Sequence, residues 1–183
     1  MIFFSSDFHL NHDKQFIYEP RGFNSIYEMN DAIISRYNEI VNPEDDVYIL
    51  GDLMLGNNDE GIRLIKQLKG NIHVVRGNHD TDARMELYNK CYNIVEITEG
   101  QFFKWNGYHF YLSHYPTLVG NYDDRGLKKG LINLCGHVHT SDPFIDWNKG
   151  KIFHVEVDSH NCYPISIENI IKDMQEKTNE FIF

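Results

Sequence analysis

The stretch Val74-Val75-Arg76-Gly77-Asn78-His79-Asp80 decides how the chain is read. An apolar run stops at a glycine, and an amide, an imidazole and a carboxylate follow without a spacer. Three consecutive polar side chains at a strand end do not build a core. They suit a site where one side chain binds a metal, the next moves a proton and the third orients the second. The other polar clusters of the chain bear on that reading.

Upstream, Ile72 to Arg76 reads as the strand leading into this stretch. Before it, Asn57-Asn58-Asp59 can cap a helix from Glu60 to Lys69, stopped by Gly70-Asn71. Val47 to Leu50 is a buried strand ending at Gly51-Asp52. Ser25-Ile26-Tyr27-Glu28 is a capping box opening a helix to about Val41, with Ile26, Met29, Ile33 and Tyr37 at helical spacing. Ile2 to Ser6 is a first strand, ending at Asp7-Phe8-His9-Leu10-Asn11-His12, and a loop with Pro20, Arg21 and Gly22 follows.

Downstream, Thr81 to Cys91 reads as a short helix. Asn106-Gly107 joins Phe102–Trp105 to Tyr108–Ser113 as a hairpin. Leu131 to Cys135 is a strand ending at Gly136-His137-Val138-His139, and Asn148-Lys149-Gly150 is a turn. Ile152 to Asp158 alternates apolar and polar residues, predicting a half-exposed strand whose polar side carries His154, Glu156 and Asp158. Ser166 to Lys177 predicts a terminal helix. Strand and helix alternate in the first part, which favours a parallel or mixed sheet covered by helices. The whole predicts one α/β domain of two packed sheets with flanking helices.

The bulk numbers bound the function. At 183 residues the chain can bury a full core without disulfides. Its net charge of −10 argues against a basic face for long nucleic acid or membrane lipid. It leaves room for a phosphate ligand, since bound cations reverse the sign locally. Cys91, Cys135 and Cys162 are odd in number and widely spaced, which fits reduced thiols in a cytoplasmic protein. No signal-peptide pattern or membrane-length apolar run is visible.

Five strands end in metal-competent residues: Asp7 and His9, Asp52, Asn78 and His79, His114, and His137 and His139. Ligands of α/β sheets sit beyond the carboxyl ends of strands, so five distant pieces of chain converge on one pocket. Carboxylate, imidazole and amide oxygen form a set suited to first-row divalent ions such as Mn, Fe, Zn, Ni or Co. Asp7-x-His9 and His137-x-His139 are i, i+2 pairs that a bending loop can aim at one ion or at two neighbouring ions.

The ordered set Asp7-x-His9, Gly51-Asp52, Gly77-Asn78-His79-Asp80, His114, Gly136-His137-x-His139 resembles the calcineurin-like metallophosphoesterase superfamily, in its compact bacterial and phage form. The resemblance implies a four-layer α/β/β/α sandwich with two divalent metal ions at one edge. It implies that Asp7, His9 and His139 bind the first ion, that Asp52 bridges, and that Asn78, His114 and His137 bind the second. His79 resembles the uncoordinated proton donor to the leaving group, with Asp80 orienting it. One departure is Asn11 before His12, where such relatives often have glycine; it bears on the shape of the first loop.

The chemistry needs these parts. Phosphate esters repel hydroxide, and two cations about 3.5–4 Å apart bind the phosphoryl oxygens and lower the pKa of a water. The departing alkoxide takes a proton, and imidazole changes charge near neutrality. His12, Arg21 and Arg76 are candidate substrate contacts. Asp123, Asp124 and Arg125 read as a solvated loop at the pocket rim, and His154, His160 and Asp158 as surface or supporting residues. The expected substrate is small, phosphorylated and nucleotide-like. The alternatives are a phosphoprotein phosphatase, a nuclease, or an idle scaffold of the same fold that binds protein.

Overall fold

A computed structural model describes residues 1–120 and 126–179; Asp123, Asp124 and Arg125 lie outside the described residues. Two mixed sheets run through the molecule. The first has the order β4-β3-β2-β1-β9, built from β1 (Ile2–Ser5), β2 (Asp46–Ile49), β3 (Asn71–Val75), β4 (Ile94–Thr98) and the short β9 (Ile165–Ser166). Its pairs are parallel except β1 with β9. The second has the order β5-β6-β7-β8, from β5 (Gln101–Trp105), β6 (Tyr108–Leu112), β7 (Leu131–Cys135) and β8 (Ile152–His154). There β5 and β6 form the Asn106-Gly107 hairpin and the later pairs are parallel.

Residues alternate between two cores. Phe3, Val47, Ile49, Ile72 and Val74 face a layer made by α2 (Ile26–Ile40), α3 (Asn58–Ile65) and α4 (Asp82–Tyr88). Phe4, Leu50 and Val75 belong to the other core, with Phe110, Leu112, Ile132, Leu134 and Phe153 of the second sheet. Trp147 of α5 (Trp147–Gly150) and Ile167, Ile170, Ile171 and Met174 of α6 (Ile167–Asn179) complete it. The expected α/β architecture of two mixed sheets flanked by helices is therefore what the chain forms.

The α2 cap forms as its sequence dictates. Ser25 Oγ accepts the Glu28 N–H at 3.2 Å, and Glu28 reaches back to the N–H of Asn24 at 2.8 Å. Buried Met29, Ile33 and Tyr37 follow at helical spacing. Several elements depart from the sequence reading, among them α5, helical where Asn148-Lys149-Gly150 reads as a turn, and β9, a short strand ahead of the terminal helix. A one-turn helix, α1 (Gln15–Tyr18), stands in the first loop, and none of its residues is buried. The edge strand β4 gave no period, because its side chains are mostly half-exposed. The segment after β8 is not half-exposed: His154 and Glu156 are fully buried with Phe153, Val155 and Val157.

That last correction has a physical reason. Polar side chains can lie inside when they satisfy one another. His154 Nε2 meets Asp146 Oδ2 at 3.0 Å and its Nδ1 meets Glu156 Oε2 at 3.2 Å. Glu156 Oε1 also accepts the N–H of Thr140, next to His139, at 3.1 Å. Burial depresses the His154 pKa, but the two carboxylates outweigh it and the net shift is upward. Among the described residues no helix is long and apolar enough to cross a membrane.

Candidate metal centre and active site

Parallel pairing sets the loops after β1, β2 and β3 side by side, and those after β6 and β7 likewise. The first two run on as neighbours: Asp7 N–H bonds Gly51 O at 3.0 Å, His9 N–H bonds Asp52 O at 3.0 Å, and Leu10 N–H bonds Leu53 O at 2.9 Å. The sheets are tied where His137 N–H donates to Asp7 Oδ2 at 2.8 Å. Asp7, His9, Asp52, Asn78, His114, His137 and His139 thereby meet at one place.

The backbone there is unusual. Asp7, His9, Asp52, His137 and His139 all have φ between +50° and +76°, left-handed values that side chains with a Cβ rarely adopt. Such residues cost roughly 1–3 kcal/mol each and cluster where geometry serves function. The i, i+2 pairs each use two of them, which turns both side chains inward. Asn11 also lies at φ +63°, so the asparagine takes the backbone conformation a glycine would supply. Its N–H bonds Asn30 Oδ1 of α2 at 3.1 Å.

Space is as restricted as dihedral freedom. A Cβ on Gly51 (φ +93°) would lie 2.6 Å from both Gly77 Cα and His114 Nδ1. One on Gly136 would strike Asp7 Oδ2 and Ser6 Oγ. The glycines let backbone pass directly behind the ligands.

The histidines are held from outside and aimed inward. His114 Nδ1 donates to Leu50 O at 2.8 Å, which leaves Nε2 facing Asp52 Oδ2 at 3.6 Å and Asn78 Oδ1 at 2.8 Å. His139 Nδ1 donates to Asp158 Oδ2 at 3.1 Å, and its Nε2 stands 3.1 Å from His9 Nε2 and 3.7 Å from Asp7 Oδ1. His9 Nδ1 meets His12 Nδ1 at 3.2 Å. His137 Nδ1 approaches Asn78 Oδ1 at 2.9 Å. An outer partner on one ring nitrogen, with the other nitrogen turned toward neighbouring donors, is the arrangement metal-binding histidines adopt.

Among the described residues two clusters qualify as metal cages: Asp7, His9 and His139, and Asp7, Asp52 and His114. Asp52 Oδ2 faces both, at 3.7 Å from His9 Nε2 and 3.6 Å from His114 Nε2. The fit to a cation rests on Asp7: its Oδ1 is buried without a hydrogen-bond partner, while its Oδ2 is tied to His137. Burial pushes the Asp7 pKa up to about 6 and raises that of Asp52. Burial also lowers His9 far below its ordinary value, helped by the charges of His139 and Arg21. Carboxylates that resist ionising beside an imidazole, His9, that resists protonation form a donor set that a cation relieves.

The remaining sequence-predicted residues divide. His12 lines the cleft, its ring stacked on His9 at 5.3 Å. His79 is 43 % exposed at the cleft, and its N–H donates to Asp52 Oδ1 at 2.8 Å. Asp80 does not orient the His79 ring. It is buried, and its carboxylate accepts the N–H groups of Asp52 and Gly77 at 2.8 and 2.9 Å and the Tyr88 hydroxyl at 2.8 Å. Asp80 staples the Asp52 loop to the His79 loop.

Arg21 and Arg76, expected to contact substrate, are engaged by other groups of the protein. The Arg21 side chain is 3 % exposed and forms a two-pronged pair with Asp158 at 2.9 and 2.8 Å. Its other donors hold the carbonyls of Asp7 and Phe8. Arg76 turns to Asp80 O, Asp82 and Glu99. Asp158, read as surface or supporting, lines the cleft and holds Arg21 and His139. Burial would raise its pKa, but His139 and Arg21 hold it well below the usual carboxylate range. Sequence reading missed the Tyr88 hydroxyl and the buried Asp146–His154–Glu156 array. Neither carries a local signal, because the pairings, two to eight residues apart, follow no helical or strand period and form only where the chain turns back inside the fold.

The uncharacterized protein MJ1445 of Methanocaldococcus jannaschii is 34 % identical over 179 residues, covering 93 % of this chain and 89 % of that one. The crystal structure of AQ665 from Aquifex aeolicus, a protein of unknown function, superposes with a TM-score of 0.73 at 25 % identity. It covers 94 % of this chain and 98 % of that one. Yfce, a phosphoesterase from E. coli, superposes with a TM-score of 0.48 at 18 % identity, over 85 % of this chain and 77 % of that one. The family model described as the calcineurin-like phosphoesterase superfamily domain matches residues 1–157, from the first strand through the last ligand loop, and the chain belongs to that superfamily.

Proposed function

We propose that the protein is a metal-dependent phosphoesterase that hydrolyses a small, nucleotide-like phosphate ester. The observation that carries this reading is the convergence of two overlapping donor cages on Asp7, whose inward oxygen is buried and otherwise unsatisfied. Asp7, His9 and His139 would hold one divalent ion, Asn78, His114 and His137 a second, and Asp52 would bridge them. Such a pair supplies positive charge to phosphoryl oxygens and makes water a competent nucleophile near neutral pH.

The chain's own residues do the rest. Left-handed backbone at Asp7, His9, Asp52, His137 and His139 fixes those donors before substrate arrives, so little reorganisation is left for the reaction. His79 holds no donor position in either cage, is exposed to the cleft, and has its N–H anchored on Asp52. It supplies the proton to the departing alkoxide. The acidic balance of the chain supports a small substrate over long nucleic acid. The three free, buried thiols support a reducing, cytoplasmic setting.

The test combines metal analysis of purified protein with turnover of p-nitrophenyl phosphate and its bis ester after manganese is supplied. Metal retention and turnover are expected. Absence of both ends the enzyme reading and leaves the scaffold alternative. His79→Ala is expected to keep its metal and to lose most activity on esters with poor leaving groups.

A further inference from the structure

The geometry points to Phe16 and its apolar neighbours as the subsite that receives the leaving group, so that the substrate is a phosphate ester of an alcohol bearing a planar, apolar ring. This rests on the phosphoesterase reading above and narrows it.

The cleft of about 640 Å³ has two kinds of wall. The ligand side chains form one. Phe16, Ile17, Pro20 and Leu55 form the other. Phe16 is 70 % exposed, and no residue of its helix is buried, so the aromatic ring is not there to complete a core. It stands edge-on to His12 at 5.8 Å, and His12 stacks on His9, so rings lead from solvent to the ligands. A cleft that combines an apolar wall with a few convergent polar groups is the ordinary form of a small-molecule site.

Orientation follows from His79. Its ring lies 6.4 Å from that of His12 and 5.5 Å from that of His9, on the same cleft as the apolar wall. The oxygen protonated by His79 belongs to the leaving alcohol, whose substituent then extends over His12 toward Phe16. A planar ring gains there by stacking, whereas a small alkyl group covers little of the wall. Any base or aryl ring presents a suitable face, so Phe16 selects a class of leaving group and not one molecule.

The test uses methylphosphonate and benzylphosphonate, which cannot be hydrolysed, titrated calorimetrically into manganese-supplied wild type, Phe16→Ala and Phe16→Trp. Wild type is expected to prefer benzylphosphonate about tenfold. Phe16→Ala should bring the two affinities within about twofold of each other, and Phe16→Trp should keep the preference. Both variants should melt with the wild type, because the ring is exposed. A second readout is the alcohol released from benzyl methyl phosphate: benzyl alcohol in excess from wild type, and a partition nearer parity from Phe16→Ala. Equal affinities in wild type, or a preference that survives Phe16→Ala, overturns the subsite while leaving the phosphoesterase reading standing. Failure of both phosphonates to bind, with no turnover of any ester, overturns both.

Discussion

Replacing Asp80 separates two accounts of the Gly77-Asn78-His79-Asp80 stretch. The resemblance implies that Asp80 acts on the His79 ring. The structure instead gives its carboxylate three buried donors: the N–H of Asp52, the N–H of Gly77 and the hydroxyl of Tyr88. Asp80→Ala leaves all three without an acceptor. Each orphaned buried group costs about 1–3 kcal/mol, so the fold should lose roughly 3–9 kcal/mol. That is a large share of the ~5–15 kcal/mol a domain has. Asp80→Asn keeps an oxygen for the two N–H groups and turns an N–H₂ to the Tyr88 oxygen. Charge assistance and the acceptor for the Tyr88 hydroxyl hydrogen are lost, and the expected cost is about 2–3 kcal/mol, below that of Asp80→Ala. The assay is urea unfolding of metal-free protein, followed by manganese titration of whatever remains folded. Metal affinity should fall with stability, because Asp52 is one of the stapled residues. Leaving-group dependence should stay as in wild type. If Asp80→Ala were as stable as wild type, and instead selectively slowed esters with poor leaving groups as His79→Ala does, the stapling account would be refuted.

Other outcomes follow from the same geometry. Asp158→Asn removes the carboxylate that holds His139 Nδ1 and Arg21, and metal affinity measured by competition with a chelator should fall about 10–100-fold. Gly51→Ala puts a Cβ 2.6 Å from Gly77 Cα at φ +93°, and thermal melting should show a loss of at least ~2 kcal/mol together with lost metal binding. The Asp7 pKa is raised in the metal-free fold to about 6, so metal-free stability from this group is present below the ordinary value of 3.8 and is lost as pH rises through about 6. A bound cation offsets that loss, so the rise in melting temperature on adding manganese should be larger at pH 7.5 than at pH 5. Glu156→Gln weakens the hold on buried His154, and metal retention should fall with stability, because Glu156 also anchors Thr140 beside His139.

The sequence by itself determined which side chains gather in the candidate metal site. Each lies at the end of a strand whose apolar run is legible, and glycine, asparagine or aspartate marks where the backbone must turn. Local patterns also determined α2, with its Ser25 cap, and the Asn106-Gly107 hairpin, because caps, turns and helical period are written in neighbouring residues. Tertiary structure decided what the polar residues around that site do. Arg21 and Arg76 look like phosphate contacts in sequence and are engaged by Asp158, Asp80, Asp82 and Glu99 in space. Asp80 stands next to His79 in the chain, yet its carboxylate reaches Asp52 and Tyr88. His154 and Glu156 alternate with apolar residues as a wet strand face would, but Asp146 and Thr140 satisfy them inside. The reason is common to all four cases. A residue's type and position fix what it can bond, while its partner is set by how the chain folds back on itself, a few residues away for Arg76 with Asp80 and His154 with Asp146, and far away for Arg21 with Asp158 and Asp80 with Asp52.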